Sequence, residues 1–171
     1  MFFAALFLAA ALVAVPQERS SAEKVQHWIG VIGTSAEGHN FEALGALIAL
    51  GEIATEPCLV AMKDSSESVV RRWQCAMVLG RIGGSHALPA LLEVAIDEPN
   101  DMIAAVALES IGRIGDKVAL AKLEPVLKKK MSTRRREALE SVLLQLGSSR
   151  VKAKPKIAWT QPPLRTGTQF V

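Results

Sequence analysis

Tyrosine is absent, and all aromatic residues together make up 5% of the 171-residue chain. A surface that stacks nucleobases needs such rings in series, so the composition disfavours one. Only two cysteines occur, Cys58 and Cys75, too few for a disulfide scaffold or a four-cysteine zinc site. The three histidines, His27, His39 and His86, are far apart. None stands in the H-E-x-x-H or H-x-H spacing that would bring two imidazoles to one metal. No segment alternates with the two-residue period of a half-buried strand. Half of the residues are hydrophobic and 22% are charged, which excludes a disordered polymer, a collagen and a polytopic membrane protein. The length suits one domain with a folded part of about 125 residues.

The apolar content is concentrated first at the N-terminus. Met1 to Val15 reads MFFAALFLAAALVAV, and Pro16 ends the run before the polar Gln17–Ser21. At about 15 residues it is short for a transmembrane helix but matches a signal-peptide core. Residues 1–21 are therefore expected to be an export signal, with the mature chain beginning between positions 12 and 23. The leading region has no Lys or Arg, and the small pair Ala9 and Ala11 lies inside the run. A buried first helix and an uncleaved membrane anchor stay open as alternatives. No cysteine follows the run, so lipid modification is not expected. The location that follows is extracytoplasmic, either periplasmic or secreted, with no transmembrane span in the mature chain.

The middle of the chain repeats every 32 residues. Leu79-Gly80-Arg81-Ile82-Gly83-Gly84 returns as Ile111-Gly112-Arg113-Ile114-Gly115-Asp116. In the same register stand Leu47, Leu79, Ile111 and Leu143, then Leu50, Ile82, Ile114 and Leu146, then Gly51, Gly83, Gly115 and Gly147. Each unit reads as two helices. Cys75, Val78, Leu79 and Ile82 form the apolar stripe of the first, which the glycine stops. Leu88, Leu91, Leu92 and Ala95 form that of the second, with Pro57 and Pro89 near equivalent starts, where a missing N–H is harmless. The acidic linker 97–101 follows; Asp101 is the expected N-cap of the next helix, and Asp97 and Glu98 are expected to be solvated. A two-helix unit of this size cannot bury its stripe alone, so the units must stack.

Val70-Arg71-Arg72 through Gly83, followed by His86-Ala87-Leu88-Pro89-Ala90-Leu91-Leu92, resembles the short bacterial HEAT-like repeats, similar to those of phycobilisome lyases. Arg72 and Arg136 match the arginine of that pattern, whereas Asn40 and Ala104 stand at the same phase. Cys75, Ala107 and Ala43 match its small mid-helix residue; Leu139 does not. Asp116 matches the Asp after the glycine. The resemblance covers roughly residues 39–147 and implies an all-α, right-handed α-α solenoid of about four two-helix units. Residues 22–38, with Val25, Trp28, Ile29 and Ile32 in one stripe, are read as an N-terminal capping helix. The solenoid is then 39–149, and 150–171 is a basic, proline-containing tail whose Trp159 either stays free or covers the last helix.

Catalytic patterns are missing. Gly80-x-x-Gly83-Gly84 lacks the Gly-Lys-Ser/Thr and the strand of a phosphate loop and reads instead as a tight helix-to-helix packing position and a helix stop; the linker lacks the spaced ligands of a calcium loop. Iron-binding HEAT-like hydroxylases use His-Glu steps, and none occurs here. No cofactor is expected. Cys58 and Cys75 lie eight residues before and nine after Ser66, so neighbouring antiparallel helices would hold them at similar heights. A disulfide and two buried free thiols both fit.

Charge is the most informative functional feature. Residues 128–136, KKKMSTRRR, carry +6 and residues 148–171 carry +5, leaving −8 on the rest of a chain whose net charge is +3. Lys128, Lys129 and Lys130 end a helix, where the dipole favours cations, but Arg134, Arg135 and Arg136 open one, where it disfavours them. The inversion marks these arginines as candidate contacts. The function expected is a non-enzymatic protein-binding scaffold of the cell envelope or secreted space. Its solenoid face would include Ala90, Glu93, Asp97 and Lys122, and its basic end, Lys128–Lys130, Arg134–Arg136 and Trp159, would engage an acidic protein or an anionic envelope surface. Binding of nucleic acid or another anionic polymer is the alternative, and a lyase-like accessory role the second.

Overall fold

A computed structural model describes residues 19–34 and 40–152. The apolar leader, His39 and the tail from residue 153, including Trp159, lie outside the described residues. Every regular element among the described residues is a helix: α1 (Ser21–Val31), α2 (Phe41–Leu50), α3 (Thr55–Lys63), α4 (Val69–Ile82), α5 (Leu88–Asp97), α6 (Asp101–Ile114), α7 (Ala119–Leu123) and α8 (Thr133–Leu146). Short 3-10 turns, Gly51–Ala54 and Glu124–Lys128, precede α3 and extend α7.

The 32-residue period survives as geometry. Helices α2, α4, α6 and α8 end at Leu50, Ile82, Ile114 and Leu146, and each is stopped by a glycine with positive φ. Gly83 (φ 78°, ψ −156°) occupies a region open to glycine almost alone, whereas Gly147 (φ 88°, ψ 27°) is left-handed helical. Leu47, Leu79, Ile111 and Leu143 are all fully buried, as are Ala43, Cys75, Ala107 and Leu139. The stripes seen in the sequence are therefore the core.

Helices also pair across the linkers. Helix α3 packs along α4, α5 along α6, and α1 along α2, while helices joined through a glycine stop, such as α4 and α5, make little close backbone contact. Helix α1 packs on α2 and α3 and is the first helix among the described residues. Its N-terminus is closed by a capping box: the Ser20 side chain accepts from the Glu23 N–H, and the Glu23 carboxylate accepts from the Ser20 N–H at 2.8 Å. These bonds hold the Glu23 carboxyl below its ordinary range.

The even-numbered helices form one closely packed layer. A Cβ on Gly80 would lie 2.5 Å from that of Ser110, so α4 and α6 touch backbone to backbone there. Ser110 spends its hydroxyl on the carbonyl of Ala76 at 2.8 Å. This is the tight packing role expected of Gly80. Helix α2 carries Ile48 at the equivalent position and packs less closely on α4.

Three local features differ from the sequence reading. The N-cap of α6 is Asn100, whose Oδ1 accepts from Met102 and Ile103, and Asp101 is the first helical residue. Glu98 is buried rather than solvated, at 8% exposure. Helix α7 gives way to a 3-10 turn at Glu124–Lys128, because Pro125 has no N–H to continue an α-helical ladder. One stretch, Phe41–Lys63, is long and apolar enough to cross a membrane, with mean hydropathy 1.6. Gly51 divides it, and Leu44, Leu47, Cys58 and Met62 lie in the core while Phe41, Ile53 and Val60 are exposed.

Candidate functional site

The odd-numbered helices all end at one edge of the molecule, where their last carbonyls lack helical partners. Four arginines from just two helices meet these ends. At the start of α4, Arg71 donates to the carbonyls of Ile32 (3.0 Å) and Gly30 (3.2 Å) at the end of α1, and pairs with Glu67. Arg72 donates to the Met62 carbonyl at the end of α3 (2.9 Å) and pairs with Glu98. At the start of α8, Arg135 donates to Ala95 (2.8 Å), Ile96 (2.8 Å) and Glu98 (2.9 Å) at the end of α5. Arg136 donates to Leu127 (3.3 Å) and Lys129 (3.1 Å), where the extension of α7 ends.

Each odd helix therefore receives one guanidinium, and α6, with Ile103 and Ala104 at the same phases, supplies none. The unfavourable dipole at the start of α4 or α8 is outweighed by the negative end of the helix lying beside it. A planar fork with five donors suits two or three converging carbonyls, which an ammonium would serve less well. Arg135 and Arg136, expected as candidate contacts, spend guanidinium donors on these carbonyls and so act as structural clamps. Sequence reasoning missed Arg71 and its partner role with Arg135. The signal was present: the pairs Arg71-Arg72 and Arg135-Arg136 recur two repeats apart.

The clamps converge on the segment between α5 and α6. Arg72 takes the carboxylate of Glu98 and Arg135 its carbonyl, while the other carboxylate oxygen of Glu98 accepts from the Asn100 N–H at 3.0 Å. One buried carboxylate so links the ends of α3 and α5 to the cap of α6.

The same edge changes sign along its length. Its first described turn, 64–68, carries Asp64 and Glu67, and its second carries Asp97, Glu98 and Asp101. The third, 129–132, is flanked by Lys128, Lys129, Lys130 and Arg134, all exposed. None of these four cations pairs with a carboxylate among the described residues, and Arg134 rests on Met102 Sδ at 3.0 Å. Arg134 also rims an open groove of about 850 Å³ between α6 and α8, which is lined by Ala105, Ala138 and Val142 and by Glu109, Arg113 and Glu137.

The other expected contact residues are dispersed. Glu93 is exposed and paired with Lys63 at 2.7 Å. Asp97 shares with Glu93 a small cleft of about 170 Å³ near the end of α5. Lys122 is exposed on α7, away from that cleft. Trp159 lies outside the described residues. His27 and His86 are exposed on separate units. Among the described residues no group of three or more His, Cys, Asp or Glu side chains is placed to hold a metal. Cys58 and Cys75 are brought together, fully buried, in the core between α3 and α4.

The stacked helical pairs, with their register set by recurring glycines and their helix ends closed by neighbouring arginines, define a helical-repeat protein. The profile of HEAT repeats matches residues 55–143, from the start of α3 into α8, and the chain belongs to the HEAT-repeat family. Proteins of this family are generally interaction scaffolds. A comparison with curated proteins finds no match.

Proposed function

We propose that this protein is a non-enzymatic scaffold of the cell envelope or secreted space that holds an acidic protein partner on the basic end of its linker edge. The supporting observation is the set Lys128, Lys129, Lys130 and Arg134, exposed and without carboxylate partners among the described residues, with Arg134 on the rim of the α6–α8 groove. Carboxylates of the partner would meet these cations, and an apolar side chain would rest on Ala105, Ala138 and Val142. The basic tail 150–171 extends the same positive field. Anionic polymer binding is the weaker reading, because the guanidiniums of Arg135 and Arg136 are spent on backbone carbonyls and so are poorly placed for phosphates.

Export would be directed by the leader, and cleavage would fall before Ser20, since that residue and Glu23 build the cap of α1. Affinity capture from an envelope extract at two salt concentrations tests the scaffold. The chain should retain one acidic partner at low salt, and Lys128→Glu/Lys129→Glu/Lys130→Glu/Arg134→Glu should lose it. Equal capture by both would remove the basic end from the proposal. Intact mass of exported protein tests the leader; a chain still beginning at Met1 speaks for an uncleaved anchor.

A further inference from the structure

The only two cysteines of the chain face each other. Cys58 lies five residues before the end of α3 and Cys75 six residues after the start of α4. At about 1.5 Å of rise per residue, the two stand at nearly the same height above the 64–68 turn. Both are fully buried in one core cluster between helices packed along each other. Both are free thiols in this structure, and the neighbouring Cys58 thiol, together with burial, pushes the Cys75 thiol far above its ordinary range.

We propose that Cys58 and Cys75 form a disulfide that staples α3 to α4 when the chain folds in an oxidising compartment. Its occurrence in the cell rests on the export reading above. The oxidant is an external disulfide, glutathione disulfide or an oxidised dithiol oxidoreductase. The thiolate of one cysteine attacks it, displacing one thiol and leaving a mixed disulfide. The other cysteine's thiolate then displaces the second thiol and closes the Cys58 Sγ–Cys75 Sγ bond. The two protons lost by the protein end on the two reduced thiols of the oxidant. Because the folded core suppresses thiolate and excludes the oxidant, the bond forms while the α3–α4 pair is still closing. The enclosed loop is short and local, so the pair can meet early. The bond would stiffen the pair whose second helix supplies Arg71 and Arg72.

The test is refolding of the reduced, denatured full chain, once in glutathione redox buffer and once under a phosphine reductant. In glutathione the mass should fall by about 2 Da with no titratable thiol, a peptide should link Cys58 to Cys75, and Tm should rise on the order of 5–10 °C. Cys58→Ala and Cys75→Ala should show no such rise. Two free thiols per chain, a glutathione adduct or a cross-linked dimer would overturn the proposal. Pairing on refolding but free thiols in protein recovered from cells would support the bond and overturn the export reading instead.

Discussion

Helices α4 and α8 each open with an arginine pair that closes two neighbouring helices, but their second arginines end in different surroundings. Arg72 reaches a buried carboxylate, Glu98, besides the Met62 carbonyl. Arg136 donates to the carbonyls of Leu127 and Lys129 and is half-exposed. Both arginines of the α4 clamp pair with carboxylates, whereas in the α8 clamp Arg135 pairs with Asp101 at 3.8 Å and Arg136 leaves its charge in the basic end. The same residue at the same phase of a repeat can thus serve stability alone or stability and surface potential together, depending on whether the next linker offers a carboxylate.

Removing Arg72 should break this comparison most sharply. Arg72→Ala strands the Glu98 carboxylate in the core, and urea unfolding should show a loss of about 3–5 kcal/mol. Arg136→Ala removes bonds to two neutral carbonyls at a half-exposed site and should cost about 1 kcal/mol. Equal losses would mean that the carboxylate adds nothing. Arg72→Met combined with Glu98→Leu should recover most of the deficit, with about 1–2 kcal/mol still missing for the uncapped Met62 carbonyl and Asn100 N–H.

The helix layer offers a second contrast. Gly80→Ala forces a methyl against the Ser110 backbone and Cβ and should destabilise by about 2–3 kcal/mol in the same measurement. At Gly112 the nearest obstacle is Gln145 Oε1, the end of a flexible side chain, so Gly112→Ala should cost roughly half as much. The reverse order would show that α6 and α8 are the more rigid contact.

The smallest effect concerns pH. Glu23 and Asp64 are both held below their ordinary values, Glu23 by Ser20 and Asp64 by the Ser66 hydroxyl and N–H. A lowered folded pKa gives stability that is present above the unfolded value and lost as pH falls through the folded one. Acidification below the ordinary carboxylate range should therefore fray α1 and the 64–68 turn. Amide exchange should quicken in residues 21–31 while the clamped end of α5 stays protected. Uniform quickening would instead mean one cooperative acid unfolding.

Much of the fold was legible because a repeat displays its core more than once. Leu47, Leu79, Ile111 and Leu143 share a phase and share complete burial, since a stripe that recurs with the helix stop has one way to face inward. Gly80 and Gly83 were legible as a contact and a stop for the same reason. Glu98 was not. Its neighbours Asp97 and Asp101 are exposed or half-exposed, and no spacing distinguishes a carboxylate that will meet an arginine 26 residues earlier in the chain. The run 128–136 shows the same limit: its six cations look alike in sequence, yet Arg135 and Arg136 are half-buried on backbone carbonyls while Lys128–Lys130 and Arg134 stay at the surface.

By itself the sequence determined the helical units, their 32-residue period, their glycine stops and the family, because local periodicity and backbone conformation are encoded within one unit. Tertiary structure decided which helices pair closely, which charges are consumed and which remain, and that the two thiols meet. Those outcomes depend on groups a full repeat or more apart along the chain, or on opposite sides of a helical pair. Only the stacking of one helix end against another sets the distance and the desolvation that choose between a clamp and a contact.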